Sequence, residues 1–333
     1  MPEGHSVHRI ARQFARNFQG RTVAASSPQG RFSEGASLLS GRTLLGARAV
    51  GKQMFLEFEG DLWLRVHLGL YGAWDFSGEI LVDSTIASAN GRMGQTNQRG
   101  TVLEDQAIMD AAGENSLASI GAPRKARVHV RMSEQTKGLA EDDAEWPPPI
   151  VGQVRLRLLT DSTCADLRGP TACQVQTSDE MAASVAKLGP DPLVDDPAVG
   201  EERFVSVVAR KPTAIGLLLM DQAVISGIGN VYRAEMLFRA RQNPHTPGRE
   251  VPTATVRELW RDWVRLLSIG VETGQMMTMD DLDPESYRRA MASRDDRHWV
   301  YHRAGLPCRV CGTAILLEEA AGRKLYWCPK CQA

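Results

Sequence analysis

The chain opens Met1-Pro2-Glu3-Gly4-His5, and this start sets two reactive groups side by side. A small second residue such as proline permits removal of the initiator methionine and frees a secondary amine at Pro2. An N-terminal amine has a pKa of roughly 8, far below that of lysine, so a useful fraction is neutral and nucleophilic at physiological pH. Attack of such an amine on a sugar C1′ gives an iminium, an electron sink that permits elimination at the neighbouring carbons. Glu3 stands beside it as a proton carrier. A chain that keeps Met1 holds the proline nitrogen in an amide and has no such nucleophile. Taken alone, the three residues read better as an ordinary N-terminus.

The second chemical feature is at the other end. Cys308-x2-Cys311 and Cys328-x2-Cys331 form two knuckles separated by sixteen residues. Each knuckle lets two thiolates converge on one metal. Four thiolates close a tetrahedral structural zinc site with no open position for catalysis. Ile315-Leu-Leu and Leu325-Tyr-Trp between the pairs suit a β-hairpin. Arg323 and Lys324 fall at its tip, and Arg303 just before the first knuckle, where guanidinium groups suit phosphate or groove contact. The other cysteines, Cys164 and Cys173, read as reduced, half-buried thiols.

The elements that must carry these groups follow from periodicity. Val7, Ile10, Ala11, Phe14 and Ala15 recur at helical spacing over Glu3 to Phe18, with Arg9, Arg12 and Arg16 between them. Alternating strands are expected at 21–24, 43–50, 54–58 and 62–68, and again at 154–159 and 172–176, as in an all-β sandwich. From about Ser178 the period becomes helical, with helices expected at 201–209, 215–223, 231–239 and 253–273. Ser226-Gly-Ile-Gly-Asn230 is a tight turn into the third of these. A polar linker over Pro284–His298 leads into the cysteine module.

The 333 residues suit two or three domains, and the 43% apolar content is that of an ordinary globular protein. No run approaches the roughly 20 apolar residues of a membrane span, and the start lacks the basic and apolar regions of a secretory leader. A cytoplasmic, nucleoid-associated location is the expectation. The net charge of −1 is unevenly spread. Ser77–Trp146 holds eleven acids and seven bases, a net of −4, which leaves +3 on the rest. That segment is rich in Ala, Ser, Gly, Gln and Asn, ends in Trp146-Pro-Pro-Pro, and reads as a flexible insertion with one strand edge at 124–131.

Together these features resemble the formamidopyrimidine-DNA glycosylase and endonuclease VIII family. The resemblance rests on Pro2-Glu3-Gly4, Gly51-Lys52, His67-Leu-Gly-Leu-Tyr-Gly72, Asp166-Leu-Arg-Gly-Pro170, Leu188-Gly-Pro-Asp-Pro-Leu193, Met220-Asp-Gln through Gly229-Asn-Val-Tyr-Arg-Ala-Glu235, and Tyr301 through Arg323 to Cys328-Pro-Lys-Cys-Gln332. The Pro-Glu-Gly start is similar to the endonuclease VIII branch, which acts on oxidised pyrimidines. It implies an α+β multidomain fold. A β-sandwich with a leading helix would span 1–177 with the insertion at 77–146, a helix-two-turn-helix domain 178–290, and a zinc-finger hairpin 298–333.

The resemblance also implies a bifunctional DNA glycosylase and abasic-site lyase of base excision repair. Pro2 would form the Schiff base, Glu3 would move protons, and Lys52 would assist base loss or hold the adjacent phosphate. Asn230 would cap its turn and bind phosphate, beside Gly227 and Gly229, whose backbone N–H groups approach an anion. Arg323 and His67 would touch phosphate. Leu70 and Tyr71 would plug the gap left by an extruded nucleotide. Arg168 would reach the groove or pair with an acid. One structural Zn2+ would sit on Cys308, Cys311, Cys328 and Cys331. The partner would be damaged DNA, duplex or single-stranded, met by a monomer with no membrane attachment.

Three departures stand out. Family members continue Pro-Glu-Gly-Pro-Glu, whereas Ser6 here replaces the second carboxylate, whose proton-handling role would then be absent, weaker or taken by His5. The plug loop begins with Gly69, not a polar residue. The long insertion has no counterpart that the family motifs assign, and could cover DNA, contact a partner or do nothing. Two competing readings follow: a lesion-binding protein without turnover, and a zinc-ribbon interaction module on an unrelated scaffold.

Overall fold

The structure, a computed structural model, describes residues 2–81, 119–121, 146–279, 282–293 and 296–333. The strand edge expected at 124–131 and most of the insertion lie outside the described residues.

Helix α1 (Gly4–Asn17) is followed by β1 (Thr22–Ser26), α2 (Ser33–Leu39), β2 (Arg42–Val50), β3 (Gln53–Phe58), β4 (Leu62–His67) and β5 (Ala73–Gly78). Then come β6 (Ser119–Gly121), β7 (Leu156–Leu159), β8 (Thr163–Arg168) and β9 (Ala172–Gln176). All neighbours are antiparallel, in the order β6-β5-β8-β7-β1-β2-β3-β4-β9. The β1–β2 link is short, with Thr22 opposite Thr43 and Val23 opposite Arg42. It joins two sheets that share one core. Trp74, Phe76, Leu156, Leu158 and Leu167 come from one sheet, and Leu44, Met54, Leu56, Leu64 and Val66 from the other. Val7, Ile10 and Phe14 of α1 pack into that same core, which is why the leading helix is apolar at helical spacing.

The second sheet is covered on both faces. Helix α3 (Ser178–Ala186) places Met181 and Val185 against Val50, Phe55 and Trp63. That is why β3 reads Met-Phe-Leu-Glu-Phe with little alternation. A capping box starts α3: Glu180 N–H donates to the Thr177 hydroxyl, and Thr177 N–H donates to the Glu180 carboxylate at 3.0 Å. Strands β5 and β8 were not anticipated. β5 runs through Ser77 and Gly78, so the sheet continues into the segment read as insertion, and β6 pairs with it at 119–121.

The helical region holds α4 (Pro197–Val208), α5 (Ile215–Leu218), α6 (Asn230–Arg239), α7 (Thr253–Thr273) and α8 (Pro284–Ala292). Helix α7 matches its expected bounds. Helix α5 is one turn, not the nine residues expected, because the chain then turns at Asp221, whose carboxylate accepts from Ala223 N–H at 2.9 Å. The linker expected from Pro284 is helical: Asp283 caps it and Pro284 occupies its first turn. Trp260, Trp263, Tyr232, Ile225 and Phe204 form the core of this region.

The finger hairpin is β10 (Leu316–Ala320) and β11 (Arg323–Trp327). Its two-residue turn puts Ala321 at φ 50° and Gly322 at φ 72°, the left-handed pair that a tight hairpin requires. Its base packs on α6 through Ala234, Phe238, Val300, Ile315 and Tyr326. A buried carboxylate locks this joint. Glu235 on α6 accepts from the N–H groups of Trp299, Val300 and Tyr301 at 2.7, 2.9 and 2.8 Å, and from the Thr278 hydroxyl at 2.5 Å. Burial pushes its pKa up against these donors. Glu235→Ala strands all four and is expected to cost at least about 3 kcal/mol, read as a lower urea midpoint with an unchanged slope.

A candidate catalytic site at a backbone joint

Three glycines bring the reactive residues together. Gly4 at the head of α1, Gly51 in the β2–β3 turn and Gly227 before α6 meet backbone to backbone. Gly4 N–H donates to Gly227 O at 2.8 Å. A Cβ on Gly51 would lie 2.7 Å from Ser226 Cβ, and one on Gly4 3.0 Å from Gly227 Cα. Gly51 and Gly227 also have φ of +57° and +91°, which side chains disfavour. No bulkier residue fits this joint without prising it open.

The joint sets Glu3 under the N-terminus of α6. Glu3 precedes α1, yet its side chain makes no bond to α1's own N–H groups. It accepts instead from Gly229 N–H at 2.8 Å, Val231 N–H at 2.9 Å and, weakly, Tyr232 N–H at 3.5 Å. These are donors that a helix start leaves unpaired. Asn230 was expected to cap this turn. It does not: Gly229 is the cap residue and contributes no side chain. The Asn230 Oδ1 accepts from Arg233 at 3.3 Å. The anion approached by the glycine turn is the protein's own Glu3. Burial raises the Glu3 pKa, while Lys52 and the N–H groups of Val231 and Gly229 pull the other way. Pro2, also buried, adjoins Glu3.

Lys52 enters from the β2–β3 turn. Its Nζ donates to Ile228 O at 2.6 Å, and burial lowers its pKa to about 8 against the pull of Glu3, with Arg323 and Arg233 lowering it further. The turn is tethered by Asp191, whose Oδ2 accepts from Gly51 N–H at 2.6 Å and from His8 at 2.8 Å. Arg233 is fully buried on α6. It donates to Lys324 O at 2.9 Å, so it ties α6 to the finger hairpin, and burial lowers its pKa to about 10. Lys52, Arg233 and the exposed Arg323 therefore act on one another. Such a concentration of positive charge favours an anion nearby.

Ser6 is buried, and its hydroxyl lies 3.2 Å from His5 Nε2. His5 packs edge-on against Tyr232, its Nδ1 lacks a partner, and burial lowers its pKa to about 3. The pair is neutral and does not reproduce a second carboxylate. His67 ends β4 opposite Gln53, and burial and Lys52 lower its pKa, so it offers a neutral imidazole. Just beyond it, Leu70 and Tyr71 are 49% and 79% exposed, too open to be core. Of the two roles open to Arg168, the pairing is the one observed: it donates to Asp75 at 2.5 Å and lies 3.6 Å from Asp166.

The finger's four sulfurs all lie within 4.8 Å of one another. A tetrahedron of Zn–S bonds near 2.3 Å requires S–S separations of roughly 3.8 Å. Cys308–Cys331 at 3.9 Å and Cys311–Cys328 at 3.5 Å match it. Amides of Val310 and Cys331 donate to Cys308 and Cys328 sulfurs at 3.5 Å each. The donor set fits one structural Zn2+. Cys164 and Cys173 are apart from it, with thiol pKa values raised by burial to about 11 and 12.

Comparison with known proteins bears on the whole chain. Residues 1–173 match the formamidopyrimidine-DNA glycosylase N-terminal domain, 188–281 the formamidopyrimidine-DNA glycosylase H2TH domain, and 305–333 the zinc finger found in FPG and IleRS. The chain belongs to the formamidopyrimidine-DNA glycosylase family. Within it, Endonuclease 8 1 of Mycobacterium tuberculosis is 36% identical over all of both chains. Formamidopyrimidine-DNA glycosylase of Thermus thermophilus is 36% identical over 44% of this chain and 54% of its own. The fold matches Lactococcus lactis Fpg complexed with N7-benzyl-Fapy-dG DNA, with a TM-score of 0.68, 17% identity and 99% of both chains covered. The same Lactococcus protein on abasic-site DNA gives 0.67, again at 17% identity and 99% of both chains.

Sequence reasoning quoted Asp191, Gln222, Arg233 and Glu235 inside family motifs without assigning them roles. Gln222 braces the turn, accepting from Gly227 N–H at 3.0 Å and donating to Ile228 O at 3.1 Å. The available sign was a charged residue amid apolar helix positions.

Two outcomes follow. Glu3→Ala leaves the α6 start without an acceptor and is expected to cost about 1–3 kcal/mol, partly recovered by millimolar formate, as read by thermal melting. Cys311→Ser is expected to lose stoichiometric zinc by elemental analysis and to loosen the finger while leaving the β-sheet circular dichroism in place.

Proposed function

We propose that this protein is a bifunctional DNA glycosylase and abasic-site lyase of base excision repair, acting on oxidised bases, pyrimidines first. The observation that carries the reading is Glu3 held on the α6 N-terminus beside Pro2, with Lys52 reaching the same turn. The full-length relative is named Endonuclease 8 1, in keeping with the resemblance of the Pro2-Glu3-Gly4 start to the endonuclease VIII branch.

With Met1 removed, the neutral Pro2 nitrogen attacks C1′ of an extruded nucleotide. The C1′–N bond breaks, its electron pair leaves with the base, and Lys52 places positive charge beside the anion formed. The sugar ring then opens: Glu3 takes the proton from the Pro2 ammonium so formed and delivers it to O4′ as the C1′–O4′ bond breaks, and the freed nitrogen lone pair forms the iminium at C1′. Loss of a C2′ proton expels the 3′ phosphate. Loss of a C4′ proton then expels the 5′ phosphate through the conjugated imine. Water finally hydrolyses the imine and releases Pro2. His67, Asn230 and Arg323 hold backbone phosphates, and Leu70 and Tyr71 fill the vacated stack. Arg168, engaged with Asp75 and Asp166, takes no part. The protein works as a monomer on DNA in the nucleoid. No helix among the described residues is long and apolar enough to cross a membrane.

Borohydride trapping on lesion-containing DNA tests this. The processed chain is expected to give a covalent adduct and Pro2→Gly none. Tight binding with no adduct would instead mark a lesion-binding protein without turnover. The pH profile is a second check. Pro2 must be neutral, so the rate on an intact lesion climbs as pH rises toward roughly 8. Lys52 must be charged, so that rate falls above its pKa of about 8. On a preformed abasic site no base leaves, and the falling limb is expected to vanish.

A further inference from the structure

The rim loop after β4 begins with a glycine, Gly69, packed against the side chain of Thr171. It is closed by Gly72 N–H donating to Leu68 O at 2.9 Å, and it leans on the next turn through Thr171 N–H donating to His67 O at 2.8 Å. Gly69 has φ +65°, and a Cβ there would lie 1.7 Å from the Thr171 hydroxyl oxygen and 3.0 Å from Thr171 Cβ. A side chain at position 69 would require both this left-handed backbone and a displaced Thr171 hydroxyl, and the glycine present offers none. The Thr171 hydroxyl itself faces the Gly69 backbone. What the loop projects outward is one aliphatic and one aromatic group, Leu70 and Tyr71.

The polar group best placed to supplement them is also engaged. Arg168 ends β8 directly opposite Ala73, the first residue of β5 after this loop. Its side chain is 13% exposed, held by Asp75 and Asp166. Reading the base that faces an extruded nucleotide requires directed hydrogen bonds to that base's edge, and each good pair is worth on the order of 5- to 150-fold in discrimination. Stacking on an aromatic face tolerates every base, because every base has a π-face.

We propose that this loop fills the DNA by stacking alone, so that turnover is indifferent to the base opposite the lesion. The proposal rests on the reading of Leu70 and Tyr71 as the plug. Gly69 is then a specificity-determining position: it contributes no side chain that could read the facing base.

The test uses the processed full-length protein and preformed abasic sites placed opposite A, C, G and T. An abasic site has no base pair to break, so differences report the protein. Single-turnover nicking rates are expected to agree within fivefold across the four duplexes, and a wider spread overturns the proposal. Tyr71→Phe and Arg168→Ala are expected to keep the four rates in the same ratio, whatever their effect on the mean. A ratio moved more than fivefold by either would identify the hydroxyl or the guanidinium as a reader and overturn it. Tyr71→Ala is expected to lower all four rates by one common factor, on the order of 5 to 150. A fall confined to one duplex overturns the proposal directly, and no fall on any removes the plug on which it rests. Absence of nicking by the unaltered protein on all four strikes the lyase reading instead.

Discussion

Everything in the site hangs on one carboxylate capping a helix it does not belong to. The start of α6 has N–H groups with no intrahelical partner and the positive end of a helix dipole. Most helices meet that need with a neighbouring Ser, Thr, Asp or Asn. Here the cap residue is Gly229, and the acceptor comes from Glu3, at the opposite end of the chain. The bond is thus structural and chemical at once. It docks α1 to the helical region, and it buries a titratable group beside Pro2. The same contact excludes water, which raises the carboxyl pKa and sharpens its response to Lys52.

The cations are arranged around that anion from three separate elements. Lys52 comes from a strand turn, Arg233 from α6 and Arg323 from the finger hairpin. Burial lowers the pKa of the first two, and repulsion from Arg323 lowers both further. Glu235 and Arg233 lie on one helix and both grip the finger segment, one through the amides of 299–301 and the other through Lys324 O. Zinc then sets the shape of the hairpin, and α6 sets its placement. A phosphate arriving at this cluster would relieve repulsion that the folded protein carries in its absence, which favours binding more than three isolated surface cations would.

Much of this was legible in the residues. The apolar period of α1, the strands of the second sheet, α7 to the residue and the cysteine module all follow from local pattern, because each is dominated by one repeated burial preference. The misses have local causes too. β5 and β8 carry Asp75, Asp166 and Arg168 on strands, a charge pattern that reads as loop until the ion pairs are seen. α8 was hidden by its polarity, although Asp283-Pro284 is a helix-start signature. Asn230 was credited with a cap that belongs to Glu3, because a contact between residues 3 and 229 has no trace in spacing. The joint at Gly4, Gly51 and Gly227 was likewise invisible: each glycine alone reads as a turn, and only their convergence explains all three.

That joint has a consequence in time. In the chemistry proposed above, with Met1 removed, the nucleophile Pro2 is among the first residues a ribosome makes, but the turn at 226–231 that completes its site comes far later. At roughly 5–20 residues per second, the interval is on the order of 10 to 45 s. Throughout it Pro2 is a plain amine with no carboxylate poised on a helix end and no lysine held at the turn. The proposed reactivity would switch on only when distant parts of the chain have closed on one another, so a truncated or half-folded copy would carry the reagent without the means to use it.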